Sequence, residues 1–336
     1  MRPDVLLSAG FVLMWSSGFV GAVLGTAHAG AWTLLLWRFW VVAAVLGGWW
    51  LVRRRRAIGL RDVGVHSAIG LLSQGVYLAG VVWSAELGVA AGVAALVAAL
   101  QPVVTATLSG PLLGERSTPL QWAGLAVGLV GVALVVGDDL GSSSGAPAAA
   151  YALPFLAMAG LVVATFAERR ATSSLSVVDS LVIQCSASAA LFTVVAWTAG
   201  EVVVPTSAGF WFAVAWVVVL STFGGYGTYW LVVRRRSVNH AATLLYLTPP
   251  TTMLAGFALF GDTVDVWGFV GLAVSAAAVT LVLRGQRATQ PRTRPRALSD
   301  PGAMMATCSS TTSSPPPPTS RGDAPARPRP PSSPSC

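Results

Sequence analysis

Arg38 is the position where residue type and surroundings most clearly point to chemistry. It lies in the string WRFW, about seven residues into an apolar run that starts at Ala31, which places it roughly 10 Å along a helix. An arginine within lipid costs about 3 kcal/mol or more unless it meets water, a partner or a cavity. Its aromatic neighbours can stack on the guanidinium. Two interpretations stay open: Arg38 contacts an anionic group such as a carboxylate, or it reaches outward or pairs with a neighbouring helix.

Other candidates combine hydroxyl, amide and aromatic side chains inside apolar runs. Aromatic walls with few polar groups are typical of small-molecule cavities, although tyrosine and tryptophan also form belts at membrane interfaces. The predicted cavity residues are Trp15, Ser16, Ser17, Arg38, Tyr77, Gln101, Pro102, Tyr226, Trp230, Tyr246, Thr248 and Pro249.

Two of these candidates are prolines in the middle of long apolar runs. Pro102 and Pro249 cannot donate to the helix ladder, so each frees a carbonyl group. A free carbonyl at membrane depth is tolerated beside protein or a water-filled cavity. The polar residues Gln101 and Thr248 directly precede these prolines, which favours a cavity between the two runs over a kink that serves packing alone.

The titratable residues outside the tail mostly lie near the ends of apolar runs. Glu86 could pair with Arg38, act as a gate or be a solvated loop acid. Asp179 suits the first turn of a helix, where the dipole favours an anion. His66 and His240 could couple to protons, and the alternative is a solvated position at a helix end.

The sequence lacks the patterns that are typical of several kinds of catalytic and cofactor site. Cys185, Cys308 and Cys336 have no CxxC spacing, so neither a metal site nor a disulfide framework follows. The chain has no lysine, which excludes the phosphate-binding GxxxxGK[ST] loop, and it lacks HExxH. We expect no cofactor, no metal and no catalytic residues. A membrane-embedded enzyme acting on a lipid-linked substrate remains an alternative.

The composition indicates a membrane protein. Of 336 residues, 54% are hydrophobic and only 10% are charged, against about 25% charged in a soluble domain. The net charge of +8 does not indicate nucleic-acid binding, because the arginines lie between apolar runs and in the tail rather than on one face. The partners we expect are the lipid bilayer and a small molecule, and no nucleic acid.

Apolar runs of spanning length recur along the chain and predict an all-α integral membrane protein with about ten transmembrane helices. The predicted spans are 5–25, 31–52, 65–85, 88–113, 119–137, 151–167, 177–198, 208–233, 241–261 and 266–283. The first run is too long for the core of a signal peptide.

Arginine placement predicts the orientation. With the N-terminus in the cytoplasm, every arginine between spans falls inside, including the strings RRRR at 53–56 and RRR at 234–236. The predicted outer loops hold acids instead, which satisfies the positive-inside rule. The composition, rich in Ala, Gly, Val and Arg, suggests a GC-rich bacterial genome. We therefore predict a multi-pass protein of the bacterial inner membrane with both termini in the cytoplasm.

The chain contains an internal repeat. With Gly114 placed on Gly261, an offset of 147 positions (261 − 114), the register holds without a gap from Trp83 to Val135. Matches include Trp83 with Trp230, Pro102 with Pro249, and Gly124 with Gly271. Five spans per half would place the second half in the membrane upside down, as an inverted repeat. The predicted domains are a first repeat at 1–137, a polar linker at 138–150, a second repeat at 151–284 and a disordered cytoplasmic tail at 285–336.

Two strings carry a family resemblance: LVAALQPVVTATLSGPLLGERSTPLQWAGLAVGLVGVALVV and LLYLTPPTTMLAGFALFGDTVDVWGFVGLAVSAAAVTLVL. With the openings FVLMWSSGFVGA and LLLWRFWVVAA, the chain resembles the EamA-type ten-helix family of the drug/metabolite transporter superfamily. It departs from that family's common pattern at Asp262, where glutamate is usual.

The resemblance implies small-molecule transport, often export of amino acids or other metabolites. We expect a secondary transporter that exports an amino acid-like metabolite or a drug by alternating access, with the proton as a candidate coupling ion. Besides the membrane-embedded enzyme, the alternative is a membrane scaffold that binds a partner through its Pro- and Ser-rich tail.

Overall fold

The described part of the computed structural model consists of helices joined by turns and short irregular segments. It comprises residues 3–53, 58–101, 103–105, 107–108, 118–141, 146–171, 175–235, 244–261 and 266–289, and no β-strand occurs within them. The all-α prediction is confirmed for these residues. The first five residues of the predicted disordered tail, 285–289, are helical instead, and the rest of the tail lies outside the described residues.

Most helices follow the predicted apolar runs. The helix bounds are α1 Pro3–Thr26, α2 Ala31–Arg53, α3 Leu60–Glu86, α4 Ala91–Ala98, α5 Pro119–Gly141, α6 Ala152–Arg170, α7 Val177–Thr198, α8 from Ala208 to Arg235, α9 Thr248–Phe260 and α10 Val266–Thr289. Helices α4 and α9 are shorter than the predicted spans 88–113 and 241–261, which contain turns at 99–100 and 246–247. A short 3-10 turn at Ala148–Tyr151 precedes α6. Helix α5 reaches Gly141, so the first four residues of the predicted linker are helical.

Within the described residues, six helices are long and apolar enough to cross a membrane, which makes this a multi-pass membrane protein. They are Leu6–Thr26, Ala31–Arg53, Leu60–Glu86, Ala148–Glu168, Val178–Thr198 and Ala208–Tyr229. Shorter apolar helices occur at Ala91–Thr105, Trp122–Leu134 and Phe269–Ala278.

The protein is apolar both inside and outside. Large side chains such as Trp197 and Leu254 are mostly exposed on helix surfaces, where lipid rather than water would cover them. Inside, one cluster joins side chains of α1, α2, α3, α7 and α8, including Phe39, Phe192 and Phe210. Buried polar groups sit among these apolar residues, which brings Arg38, Gln74 and their neighbours into the centre of the bundle.

Helix pairing sets the position of these polar groups. Helix α1 packs on α8, and α6 packs on α3. Helix α2 packs on α7, α4 on α9, and α5 on α10. Glycine allows two of the close approaches: a Cβ on Gly70 would lie 2.6 Å from the Gln184 backbone, and one on Gly80 would lie 2.6 Å from the Leu153 carbonyl oxygen.

Two helices contain π-helical segments in mid-span. The segment in α3 is Leu71–Val76 and the segment in α8 is Val217–Tyr226. A π turn inserts an extra residue and turns side chains towards a new direction, and such turns are frequent at functional sites. Both segments contain buried polar residues, among them Gln74 and Ser221.

Candidate functional site: a central cavity around Arg38

Arg38 lies in the wall of a central cavity, about a third of the way along α2. Its side chain is only 2% exposed, and the cavity has a volume of about 330 Å³, including the part open to solvent. The cavity is lined by Trp15, Gly18, Phe19, Arg38, Tyr77, Leu78, Val81, Ser221 and Tyr226.

The partners of Arg38 are neutral. One terminal nitrogen, Nη2, donates to the hydroxyl groups of Ser221 and Thr222, each at 3.1 Å. The Nε atom is buried without a hydrogen-bond partner in the part of the chain that the structure describes, and no carboxylate of that part forms an ion pair with the guanidinium. A buried cation with hydroxyl partners and spare donors is poorly compensated by the protein alone. Arg38 can therefore donate hydrogen bonds to an anionic oxygen of a bound molecule.

The π-helical segment of α8 presents the two hydroxyl groups. Ser221 and Thr222 are adjacent residues, which on a regular α-helix would point about 100° apart. In the π-helical segment both reach Arg38, and the Thr222 hydroxyl also donates to the carbonyl of Val217, five residues back, at 3.1 Å. Gly18 on α1 leaves room for this arrangement, since a Cβ there would lie 2.7 Å from Ser221 Oγ.

Aromatic rings form the remaining wall. Trp15 meets Tyr226 edge to face with ring centroids 5.4 Å apart, and it also contacts Phe11 and Tyr229. The Arg38 guanidinium lies 5.8 Å from the ring centroid of its neighbour Phe39, a distance at which a cation interacts with the ring. The wall thus combines apolar area with phenol and indole groups that can orient a ligand.

A second cavity of about 220 Å³ lies against the first. The two share three residues in their walls, Trp15, Phe19 and Tyr77. The second cavity is lined in addition by Ala95, Ala98, Ala99, Gln101, Leu245 and Thr248.

The helix breaks predicted at the prolines border this second cavity. A turn at residues 99–100 follows α4, and a turn at residues 246–247 precedes α9. Pro249 is buried in the first turn of α9, where a missing N–H leaves no carbonyl unpaired. Gln101 donates to the Thr165 hydroxyl at 3.4 Å, while the buried Thr248 hydroxyl has no partner among the described residues.

The structure brings six of the predicted cavity residues together and leaves the others apart. Trp15, Arg38, Tyr77, Tyr226, Gln101 and Thr248 line one or both cavities. Ser16, Ser17, Tyr246 and Pro249 line neither of these two cavities. Pro102 and the side chain of Trp230 lie outside the described part of the chain.

The Ser17 side chain bonds to its own helix rather than lining either of the two cavities. The Ser17 hydroxyl donates to the carbonyl of Met14 one turn back, at 2.7 Å, and the Ser17 carbonyl accepts from the Trp216 indole at 3.0 Å. Both serines are buried where α1 packs against its neighbours. Tyr246 is half-buried in the turn before α9.

Glu86 does not pair with Arg38. It is exposed at the end of α3, and its carboxylate accepts from the backbone N–H of Ala31 at 3.1 Å. Glu201 accepts from the N–H of Thr33 at 3.3 Å. The two acids therefore cap the N-terminus of α2, where free N–H groups and the helix dipole favour negative charge.

Two other titratable residues lie near the ends of helices. Asp179 lies in the first turn of α7, as predicted, and Ser176 caps that helix by accepting from the Asp179 N–H at 3.2 Å. The prediction of a solvated His66 is wrong. Its side chain is 3% exposed, because α6 and α7 pack over the first turns of α3.

Ser221 and Thr222 are the functional residues that the sequence did not reveal. They are two small hydroxyl residues in an apolar run, and such residues commonly bond to their own helix. Their contact with Arg38 joins positions 183 and 184 residues apart. The one signal for them is that Ser221 stands opposite the polar Gln74 in the internal repeat register (74 + 147 = 221).

Residues 3–137 match the model of the EamA-like transporter family. A probable terminal-alkyne amino-acid exporter of Streptantibioticus cattleyicolor is 28% identical over 281 residues, which cover 81% of this chain and 91% of that protein. The uncharacterized inner membrane transporter YedA of Escherichia coli K12 is 27% identical over 254 residues, covering 74% of this chain and 80% of YedA.

The fold also has a counterpart among solved structures. One crystal structure superposes with a TM-score of 0.59 at 22% sequence identity, over 84% of this chain and 98% of the other. At that identity the likeness concerns the fold alone.

Proposed function

We propose that the chain, whose residues 3–137 match the EamA-like transporter family and whose relatives are transporters, exports a small metabolite carrying a carboxylate, such as an amino acid, across the bacterial inner membrane by alternating access. The observation that carries the proposal is the buried Arg38, which faces a cavity with only hydroxyl partners. A membrane transporter is the general function of its relatives, and the substrate class comes from the chemistry of this site.

A carboxylate fits Arg38 better than a neutral group does. A guanidinium offers five N–H donors in a planar fork that matches two carboxylate oxygens. Ser221 and Thr222 hold one arm of the fork, and Nε remains free. An incoming carboxylate would neutralise a charge that the bundle leaves uncompensated, so the substrate itself would supply the missing partner.

The rest of the wall suits a compact metabolite with an apolar part. Trp15, Tyr77 and Tyr226 line the cavity together with apolar residues such as Leu78 and Val81. These rings would pack on a side chain while Arg38 fixes the carboxylate. The relative from Streptantibioticus cattleyicolor is named as a probable exporter of an amino acid, which agrees with this class of substrate.

We also propose that the chain consists of two inverted repeats of five helices, as the sequence register predicts. The offset of 147 maps the starts of α2, α3 and α5 onto positions 178, 207 and 266, while α7, α8 and α10 start at 177, 208 and 266. It maps the π-helical segment 71–76 onto 218–223, inside the segment 217–226. It also maps the turn at 99–100 onto the turn at 246–247.

Side-chain contacts support the same register. Arg38 bonds to Ser221, and the offset maps this pair onto positions 185 and 74 (38 + 147 and 221 − 147). Those positions are Cys185 and Gln74, whose side chains form a hydrogen bond at 3.3 Å. The helix pairs behave similarly: α1 on α8 corresponds to α6 on α3, and α2, α4 and α5 each pack on their own counterpart. This is the pattern of a two-fold axis between the halves.

Such an arrangement suits alternating access. Transporters with inverted repeats bind substrate near the membrane midplane at helices that are interrupted there. The breaks near Gln101 and Thr248 lie at the second cavity, and this cavity adjoins the one around Arg38. Rocking one repeat against the other would open the joined cavities to either side in turn.

The proposed domains are the first repeat at 1–137, the linker at 138–150, the second repeat at 151–284 and the tail at 285–336. We place both termini in the cytoplasm, because that orientation puts the arginines between spans inside. The tail carries none of the residues on which transport would depend.

An export assay tests the proposed function. Bacteria expressing the full chain are loaded with labelled amino acids, and efflux is compared with that of cells carrying an empty vector, with and without an uncoupler. We expect faster, uncoupler-sensitive efflux of at least one amino acid. In Arg38→Gln this efflux should fall about tenfold or more, because a hydrogen bond to a charged group contributes about 1.5–3 kcal/mol.

Arg53→Gln is the matched control, since Arg53 is exposed at the end of the same helix. Equal membrane levels of the variants are checked by immunoblot. Efflux identical to the empty vector for every amino acid would contradict the proposal. Full activity of Arg38→Gln would remove Arg38 from the site.

A further inference from the structure

A chain of hydrogen bonds between α3 and α7 leads from one end of the bundle towards the cavity. It begins at His66, whose Nδ1 lies 2.8 Å from the Ser180 hydroxyl. Gln184 donates to the Ser180 hydroxyl at 3.0 Å, and Gln74 donates to the Gln184 side-chain carbonyl at 3.3 Å. The Cys185 thiol donates to the Gln74 carbonyl at 3.3 Å. All five side chains are buried.

The far end of this chain reaches the surroundings of Arg38. Cys185 occupies the position of α7 that corresponds to Arg38 in α2, and it lies within electrostatic range of the Arg38 guanidinium and of Tyr226. From His66 to Gln74 the path runs eight residues along α3, roughly 12 Å. A change at His66 can thus be transmitted through hydrogen bonds as far as Cys185, and from there electrostatically to Arg38 in the cavity wall.

At the near end, His66 faces Glu168 of α6. The Nδ1 atom and the Glu168 Oε2 atom are 4.0 Å apart. Oε2 is buried and has no hydrogen-bond partner among the described residues, and the same holds for His66 Nε2. The imidazole and the carboxylate lie close together and each has an unused hydrogen-bonding atom. One added proton could therefore be shared between them as a hydrogen bond.

A proton can reach this pair from outside the bundle. Although His66 is buried, the Glu168 side chain is 35% exposed near the end of α6. The carboxylate thus has one face towards the surroundings and one oxygen towards the imidazole. In the predicted orientation this end lies at the cytoplasmic surface.

We propose that His66 and Glu168 form the proton-binding site that couples transport to the proton gradient. The inference rests on the proposed transport function and adds the site at which the coupling ion binds. Glu168 from α6 and Asp179 from α7 are the nearby acids on the packed helices, and Asp62 precedes His66 by one turn on α3. Asp179 is already bound to Ser176 and to the Trp50 indole, so Glu168 is the acid that shares the proton.

Protonation would reverse the first bond of the chain. In the neutral tautomer that carries its proton on Nε2, Nδ1 of His66 accepts from the Ser180 hydroxyl, whose oxygen accepts from Gln184. In the imidazolium both ring nitrogens carry protons, so Nδ1 must donate, either to Ser180 or to Glu168. The Ser180 proton then has to turn away. The helices are in backbone contact here at Gly70 and Gln184, so this rearrangement acts on a tight α3–α7 interface.

The experiment separates coupling from transport in proteoliposomes that contain the purified full chain. The probe is a mixture of the common ¹⁴C-labelled L-amino acids. One measurement follows uptake driven by an imposed pH gradient, and the other follows exchange of internal for external amino acids without a gradient. We expect wild-type protein to perform both. His66→Asn and Glu168→Gln should lose gradient-driven uptake and keep exchange, because exchange requires no net proton movement.

His66→Asn places an amide nitrogen or oxygen near the position of Nδ1, so it can keep the bond to Ser180 without titrating. His28→Asn is the matched control, because His28 is exposed in a loop and should keep both activities. Gradient-driven uptake by both variants would overturn the proton site while leaving the transporter intact. Loss of exchange in both variants would also overturn it, and wild-type protein without either activity would contradict the transport function itself.

Discussion

At Arg38, two hydroxyl groups fix the direction of the guanidinium, so the loss of one hydroxyl oxygen should slow transport. Ser221→Ala removes one of the two oxygens that accept from Nη2. We expect catalytic efficiency of transport, kcat/KM, to fall about tenfold, because a hydrogen bond to a charged group is worth about 1.5–3 kcal/mol. The measurement is initial-rate exchange of a transported amino acid in proteoliposomes.

Ser84→Ala is the matched control for this change. Ser84 is fully buried on α3, and its hydroxyl donates to the carbonyl of Val81 in its own helix at 2.9 Å. Transport by this variant should remain unchanged. Equal kinetics of Ser221→Ala and wild type would show that the Ser221 hydroxyl does not position Arg38.

Single residues also mark the limit of prediction from sequence. Arg38 stands out because a charge inside an apolar run requires an explanation wherever the helix packs. His66 lies near the end of a predicted helix, and that position alone suggested contact with water. In the structure α6 and α7 cover its side chain. Burial by another helix depends on tertiary packing, which apolar periodicity along one segment does not encode.

At the level of helices, the contact between α3 and α6 depends on the absence of a side chain at Gly80. A Cβ there would lie 2.6 Å from the Leu153 carbonyl oxygen and 2.8 Å from the Cβ of Ala157. Gly80→Ala should therefore destabilise the protein by about 1–3 kcal/mol through overpacking. Thermal unfolding of the detergent-purified protein should show a lowered Tm.

Gly227 provides the control, because it stands opposite Gly80 in the repeat register (80 + 147 = 227). A Cβ at Gly227 would meet no heavy atom within 4 Å among the described residues. Gly227→Ala should be neutral or raise the Tm, since alanine is favoured over glycine in a helix by about 1 kcal/mol. An equal loss of stability in both variants would contradict the close α3–α6 contact.

The sequence predicted the positions of the helices well and their internal irregularities poorly. Helix α7 has the predicted bounds, Val177–Thr198, because polar residues end its apolar run sharply. The helix breaks could be predicted at proline, since proline cannot donate a hydrogen bond. The π-helical segments in α3 and α8 contain no proline and leave the apolar run uninterrupted. Nothing in the composition of these segments therefore signalled them.

For the whole molecule, the inverted-repeat proposal predicts which surfaces face the cytoplasm. In a chain with its three native cysteines replaced by serine, we introduce Val204→Cys and Leu60→Cys, both at exposed positions. A membrane-impermeant maleimide should label Val204→Cys in intact cells, because the α7–α8 loop is predicted outside. Leu60→Cys should be labelled only after the membrane is permeabilised.

Labelling of both positions in intact cells, or of Leu60→Cys alone, would contradict the predicted orientation.

The repeat itself could be found in the sequence because Trp, Pro and Gly recur at one offset. The correspondence between the Arg38–Ser221 contact and the Cys185–Gln74 contact could not be found in the sequence, because the residues at corresponding positions differ in type. Under the repeat proposal these positions are equivalent although their side chains differ.

The central claim is that Arg38 recognises the carboxylate of the substrate, and one competition measurement tests it directly. Proteoliposomes containing wild-type protein or Arg38→Gln exchange a transported ¹⁴C-labelled amino acid in the presence of unlabelled amino acid or its carboxamide. Wild-type protein should be inhibited by the amino acid far more strongly than by the carboxamide, because only the carboxylate can neutralise the guanidinium. In Arg38→Gln the residual exchange should lose this preference. A preference that persists unchanged in Arg38→Gln would contradict the claim.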